Sequence, residues 1–140
     1  MKSGWIGKIT NSPEETVMLG HEFSQFLEKG DVYAFIGELA SGKTTFIKGI
    51  LKGLNYKKTV TSPTFTLVNE YESDFLIIHI DCYREDELER WIKLGMNDYL
   101  SDENIVLIEW ANKINPLLPS NTIYLNFSHQ DINKRKISIK

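Results

Sequence analysis

Nine consecutive residues, Gly37-Glu38-Leu39-Ala40-Ser41-Gly42-Lys43-Thr44-Thr45, carry the sharpest chemical signal in the chain. Two glycines, a lysine and a hydroxyl stand there at the spacing of a phosphate-binding P-loop. Each position has a physical reason. Gly37 ends an apolar run and Gly42 supplies a conformation unsuited to a Cβ, so successive N–H groups can point at phosphate oxygens while the following helix aims its positive end at them. Residues Glu38, Leu39, Ala40, Ser41, Gly42, Lys43, Thr44 and Thr45 therefore form the expected nucleotide cradle. Lys43 would bridge the β- and γ-phosphates, and Thr44 would hold Mg²⁺.

Such a loop needs an acid at the end of a neighbouring strand to hold the metal or its water shell. Asp81 and Glu109 both qualify, because each follows an aliphatic run that should deliver it to the carboxyl edge of a sheet, where the loop also opens. One acid acting through water, with Thr44, suffices for Mg²⁺; the other is left to orient a nucleophilic water. The hydroxyl-rich stretch Thr59-Val60-Thr61-Ser62-Pro63-Thr64-Phe65-Thr66 stands where a sensor of the third phosphate would sit, with Thr64 as a catalytic candidate. It reads equally well as an ordinary edge strand, since threonine favours strands.

Positioning these groups takes a set of elements that the apolar periodicity supplies. Val32–Ile36, Phe75–Ile80 and Ile105–Ile108 are apolar on both faces, the pattern of strands covered from both sides in a parallel sheet. A short strand is expected over Trp5–Thr10. After it, Ser12-Pro13-Glu14-Glu15 provides a cap, a first-turn proline and acids for a helix through Leu19, Phe23, Phe26 and Leu27, stopped at Gly30. Phe46, Ile47, Ile50, Leu51 and Leu54 mark one face of the helix after the loop, ended by Gly53-Leu54-Asn55. A less buried strand is expected around Phe65–Tyr71, an acidic helix over residues 84–100, and two antiparallel strands around Ile123–Phe127 and Ile137–Ile139. The expected fold is a P-loop NTPase-like α/β domain of three layers, with a mixed, mainly parallel central sheet and an antiparallel C-terminal strand pair.

The chain of 140 residues, 41% hydrophobic and 25% charged, suits one domain spanning 1–140. Nineteen acids against sixteen bases give a net charge of -3, which offers no global field for gripping a nucleic acid unaided. No apolar run approaches the roughly 20 residues that span a bilayer, the N-terminus shows no signal-peptide pattern, and a single cysteine, Cys82, can form no internal disulfide. A cytoplasmic protein is expected.

The order of these motifs resembles the bacterial TsaE (YjeE) family of small P-loop ATPases required for threonylcarbamoyl modification of tRNA adenosine. The resemblance runs from roughly Ser12 to Pro119. It rests on Gly37–Thr45, on Ser62-Pro63-Thr64-Phe65-Thr66-Leu67-Val68-Asn69-Glu70-Tyr71, on His79-Ile80-Asp81-Cys82-Tyr83-Arg84, and on Leu107-Ile108-Glu109-Trp110. It implies ATP and Mg²⁺ as cofactors, Thr44 and Glu109 as the metal site, Lys43 and Thr45 as phosphate ligands, and Asp81, Thr64 and Trp110 as functionally sensitive positions. It also implies adenine contacts near Asn11, Ser12 and Arg135. TsaD and TsaB homologues become the expected partners of an otherwise monomeric chain, with tRNA reached only through them. Ala40 departs from the family's usual glycine, and a backbone position needing positive φ would make that costly.

Two other readings have weaker support. Asn112-Lys113-Ile114-Asn115 approximates the guanine-specificity box of small GTPases, but Asn115 has one acceptor oxygen where guanine's two donors need a carboxylate. A nucleotide-controlled binding module with negligible turnover is the other alternative. The three histidines have no metal-spaced partners and read as structural or surface residues.

Overall fold

The computed structural model describes residues 7–58, 60 and 66–139. Among them, seven strands form a single sheet in the order β1-β7-β6-β2-β5-β4-β3. The strands are β1 (Lys8–Thr10), β2 (Val32–Gly37), β3 (Val68–Glu72), β4 (Leu76–Asp81), β5 (Asn104–Glu109), β6 (Ile123–His129) and β7 (Arg135–Ile139). The middle of the sheet is parallel, β2 lying between β5 and β6 and β4 beside β5, while β1, β3 and β7 pair antiparallel at its margins. This is the mixed, mainly parallel sheet expected from runs apolar on both faces.

Helices α1 (Pro13–Phe23) and α2 (Lys43–Gly53) cover one face. Their rows Leu19, Phe23, Phe46, Ile47 and Ile50 pack with Tyr33, Phe35, Ile77, Leu107 and Phe127 of the strands. The two helices approach closely because Gly20 and Gly49 meet at the crossing; a Cβ on Gly49 would lie 2.0 Å from the Val17 carbonyl oxygen. Phe46 is fully buried, with its ring centroid 5.4 Å from that of Phe127 and 5.6 Å from that of Phe23. Replacing such a ring by alanine costs about 3–5 kcal/mol, so the first turn of α2 is anchored firmly under the loop that precedes it. The opposite face carries α3 (Leu88–Lys93), α4 (Met96–Tyr99) and a 3₁₀ segment, Ala111–Leu117, packed on Val32, Ala34, Ile78, Ile80, Val106 and Ile108.

Three local expectations are corrected. The acidic stretch 84–100 forms two short helices, since Gly95 at φ 100 breaks it and the Trp91 indole donates to the Glu85 carbonyl at 2.8 Å, holding the leading residues outside α3. Helix α1 ends at Phe23 and passes into a 3₁₀ turn, Ser24–Phe26, so Gly30 is no helix stop; it sits at φ 90 in the turn before β2, its N–H donating to the Asn104 carbonyl at 2.8 Å. The described part of the third strand starts at Val68, because Leu67 at φ 70 turns the chain first. Trp5 and Ile6 of the expected first strand, and Phe65 of the third, lie outside the described residues.

Candidate functional site

β2 leaves the sheet at Gly37, and the chain turns through five residues before α2 begins at Lys43. Space and conformation together dictate the glycines. A Cβ on Gly37 would stand 2.5 Å from the Phe127 carbonyl oxygen and 2.8 Å from Ser41 Oγ, and Gly42 sits at φ 104. Ala40 adopts φ 60, the left-handed conformation in which a Cβ is strained. Ser41 Oγ is buried without a hydrogen-bond partner, a polar atom left over inside the loop.

Lys43 is 4% exposed. Its Nζ donates to the carbonyls of Gly37 and Glu38, the second at 3.0 Å, and lies 4.1 Å from the centroid of the Trp110 ring. Burial pushes the Lys43 pKa down, and the nearby Glu109 and Asp81 carboxylates oppose that shift.

The two acids arrive by strand register. Asp81 pairs with Glu109 across β4 and β5, and Glu109 with Phe35 across β5 and β2, so both end parallel strands side by side next to the strand that feeds the loop. They are 2% and 3% exposed. Asp81 Oδ1 accepts the Tyr83 N–H at 2.8 Å. Glu109 accepts the Thr44 hydroxyl at 2.9 Å through Oε1 and 3.1 Å through Oε2, and His79 Nε2 lies 2.6 Å from Oε2. Trp110 then takes φ 58, which turns the chain out of the sheet immediately after the acid.

These groups open on a cleft of about 350 Å³. Leu39, Ala40, Ser41, Gly42, Lys43, Thr44 and Thr45 line it together with Asp81, Tyr83, Glu109 and Trp110; Ser12, Pro13 and Thr16 come from the β1–α1 junction, and Ile132, Asn133 and Arg135 from the β6–β7 turn. Most of the residues expected from the sequence are thus gathered at one edge. Glu38 is not among the lining residues and contributes its carbonyl to Lys43 instead. Asn11 does not line the cleft either; its N–H and side-chain amide both turn to Glu15 Oε1, at 3.0 and 3.3 Å. Ser12 lines the cleft while its Oγ caps α1, and the Arg135 guanidinium donates to the carbonyls of Asp131, Ile132 and Lys134. Thr64 lies outside the described residues, as do Thr59, Thr61, Ser62 and Pro63. None of Asn112, Lys113, Ile114 and Asn115 reaches the cleft.

His79 is the residue that sequence reasoning missed. Taken as structural, it stands two positions before Asp81 on β4 and so on the same sheet face, the one signal that could have pointed to it.

Among the described residues, no group of three or more His, Cys, Asp or Glu side chains could hold a metal by itself. One hydroxyl beside one carboxylate suits a small, hard cation that keeps waters and takes further oxygens from a phosphate, which is the chemistry of Mg²⁺.

Residues 10–137 match the family model of the threonylcarbamoyl adenosine biosynthesis protein TsaE. The chain belongs to the TsaE family. The TsaE of Aquifex aeolicus is 40% identical over 134 residues, covering 94% of this chain and 92% of that protein. The TsaE of Bacillus subtilis is 37% identical over 131 residues, covering 92% and 81%. Among solved structures, the crystal structure of Bacillus subtilis YdiB superposes with a TM-score of 0.82 at 30% identity, over 96% of this chain and 83% of that one. TsaE membership places the chain in tRNA threonylcarbamoyladenosine biosynthesis and agrees with the α/β fold described above. No helix among the described residues is long and apolar enough to cross a membrane.

Proposed function

We propose that this chain binds and hydrolyses Mg-ATP as an accessory component of N6-threonylcarbamoyladenosine formation at adenosine 37 of tRNA, acting in the cytoplasm with TsaB and TsaD homologues. One observation carries the reading: Lys43, Thr44 and Glu109 converge on one cleft behind a glycine loop, at the edge where parallel strands end. The loop N–H groups and the first turn of α2 offer donors to the phosphates. Lys43 would exchange two backbone carbonyls for phosphate oxygens. Thr44 donates its proton to Glu109, which leaves its lone pairs for a cation, and Glu109 supplies the balancing charge. Bound Mg²⁺ would neutralise charge on the transferring phosphoryl group. Asp81, buried one strand away, is the group left to orient the attacking water.

ATP is favoured over GTP because the residues approximating a guanine box stay off the cleft, Asn115 Oδ1 accepting from the Tyr124 hydroxyl at 3.3 Å. Among the described residues Arg135 is the one arginine lining the cleft, and its guanidinium donates to carbonyls of the β6–β7 turn. Transition-state charge stabilisation by arginine would therefore come from a partner, so turnover should be weak in isolation. The modification chemistry and the grip on tRNA belong to those partners in this reading, and the isolated chain is a monomer.

Steady-state ATP hydrolysis with and without the TsaB–TsaD pair tests the proposal. Activity should rise on assembly and vanish in Lys43→Ala. Background turnover in the complete assembly, with ATP binding intact, would leave a nucleotide-controlled binding module in its place.

A further inference from the structure

His79 is fully buried, at 0% exposure, and its two ring nitrogens are both engaged. Nε2 lies 2.6 Å from Glu109 Oε2, and Nδ1 lies 3.4 Å from the Tyr71 hydroxyl. A carboxylate offers only acceptors, so the Nε2 proton must point at Glu109; in the neutral ring Nδ1 then accepts from the Tyr71 hydroxyl. Tyr71 is itself fixed, since its hydroxyl accepts from Asn69 Nδ2 at 3.2 Å and its ring stands 4.9 Å from that of Tyr56. Without the imidazole, Glu109 Oε2 would keep, among the described residues, only the proton of the Thr44 hydroxyl it shares with Oε1, at 3.1 Å, and the carboxylate could rotate.

We infer that His79, held by Tyr71, is a positioning residue that orients the Glu109 carboxylate for Mg²⁺. The inference rests on the assignment of Glu109 as a metal carboxylate. Donation to a metal-binding carboxylate fixes its rotamer before the metal arrives, and removing such supporting partners typically weakens metal affinity about 10- to 100-fold.

The test titrates Mg²⁺ into the full chain with a non-hydrolysable ATP analogue and reads the concentration giving half of the metal's effect on nucleotide affinity. His79→Ala should raise that midpoint by about 10- to 100-fold, leaving metal-free nucleotide affinity unchanged. His79→Gln, whose amide can donate from nearly the same place, should recover most of the loss, and Tyr71→Phe should raise the midpoint less than His79→Ala does. Purely structural damage would lower the melting temperature of all variants without separating Gln from Ala in the Mg²⁺ midpoint. A folded His79→Ala with the wild-type midpoint overturns the inference, as does a His79→Gln as impaired as His79→Ala at equal thermal stability. Should His79→Ala fail to fold, Tyr71→Phe decides: a raised midpoint supports the inference and an unchanged one overturns it. A wild-type chain indifferent to Mg²⁺ and the analogue would sink the proposed function as well, whereas an unaffected His79→Ala in a responsive background sinks the positioning role alone.

Discussion

Replacing alanine by glycine nearly always weakens a protein, and Ala40→Gly should do the opposite here. Ala40 is exposed and sits at φ 60, where its Cβ crowds the following carbonyl at a cost of roughly 1–2 kcal/mol. Glycine relieves that strain and frees the unfolded chain by about 0.4–1 kcal/mol, leaving a net stabilisation of about 0.8 kcal/mol at the middle of the two ranges. For a domain of this size the thermal midpoint should rise by about 3 °C, measured by calorimetry on the nucleotide-free chain. Ala34→Gly, in the fully buried centre of β2, is the control; it loses a packed methyl and should melt lower. A lower midpoint for Ala40→Gly would refute the strain argument. The same substitution also reports on binding. If the loop holds this backbone with and without ATP, the strain cancels and affinity changes less than about twofold; a tenfold gain, equivalent to about 1.4 kcal/mol, would mean that the strain arises on binding.

Gly49→Ala should lower the thermal midpoint by roughly 3–9 °C, because a Cβ 2.0 Å from the Val17 carbonyl oxygen forces α1 and α2 apart at a cost of about 1–3 kcal/mol; an unchanged midpoint would show that the helices slide freely. Glu109→Ala should abolish the Mg²⁺ dependence of nucleotide binding and Asp81→Ala should retain it while losing hydrolysis, and the reverse pattern in a metal titration would exchange the two roles. The N–H groups of Asn133 and Lys134 hold the Asp131 carboxyl below the ordinary aspartate value of 3.8. A depressed pKa makes that contribution present above the unfolded value and lost as pH falls through the folded one, so the two amide resonances should titrate with a midpoint below 3.8; a midpoint at or above it contradicts the turn geometry.

What could be read from the sequence, and what could not, divides by the range of the interaction. The runs Val32–Ile36 and Ile105–Ile108 are legible because burial on both faces writes itself into consecutive residues, and the loop is legible because only glycine tolerates the space at Gly37 and the φ of Gly42. Asp81 and Glu109 follow from the same logic, since an acid directly after an aliphatic run has to emerge at a strand end. The stretch 84–100 misled because its acids suit a helix equally well before or after Gly95, and the Trp91–Glu85 contact that trims α3 leaves no periodic trace. The turn of Asn11 toward Glu15 could not be read either, because it is a local side-chain choice. His79 was read as structural because its partner lies thirty residues on, and only the register of β4 on β5 brings the two together.

Lys43 shows how the same register prepares the site electrostatically. A lysine with 4% exposure should shed its proton, yet two carbonyls, the face of Trp110 and two carboxylates surround it with negative potential. These groups offset part of its desolvation in the folded chain before any phosphate arrives. Binding becomes an exchange of acceptors at a fixed ammonium, with little reorganisation left to perform, which is how preorganised charge favours an anion entering a dry site. This gives Trp110 a physical role independent of family resemblance: the left-handed turn at φ 58 places the indole over Nζ, where a smaller side chain would admit water and return the ammonium to solvent.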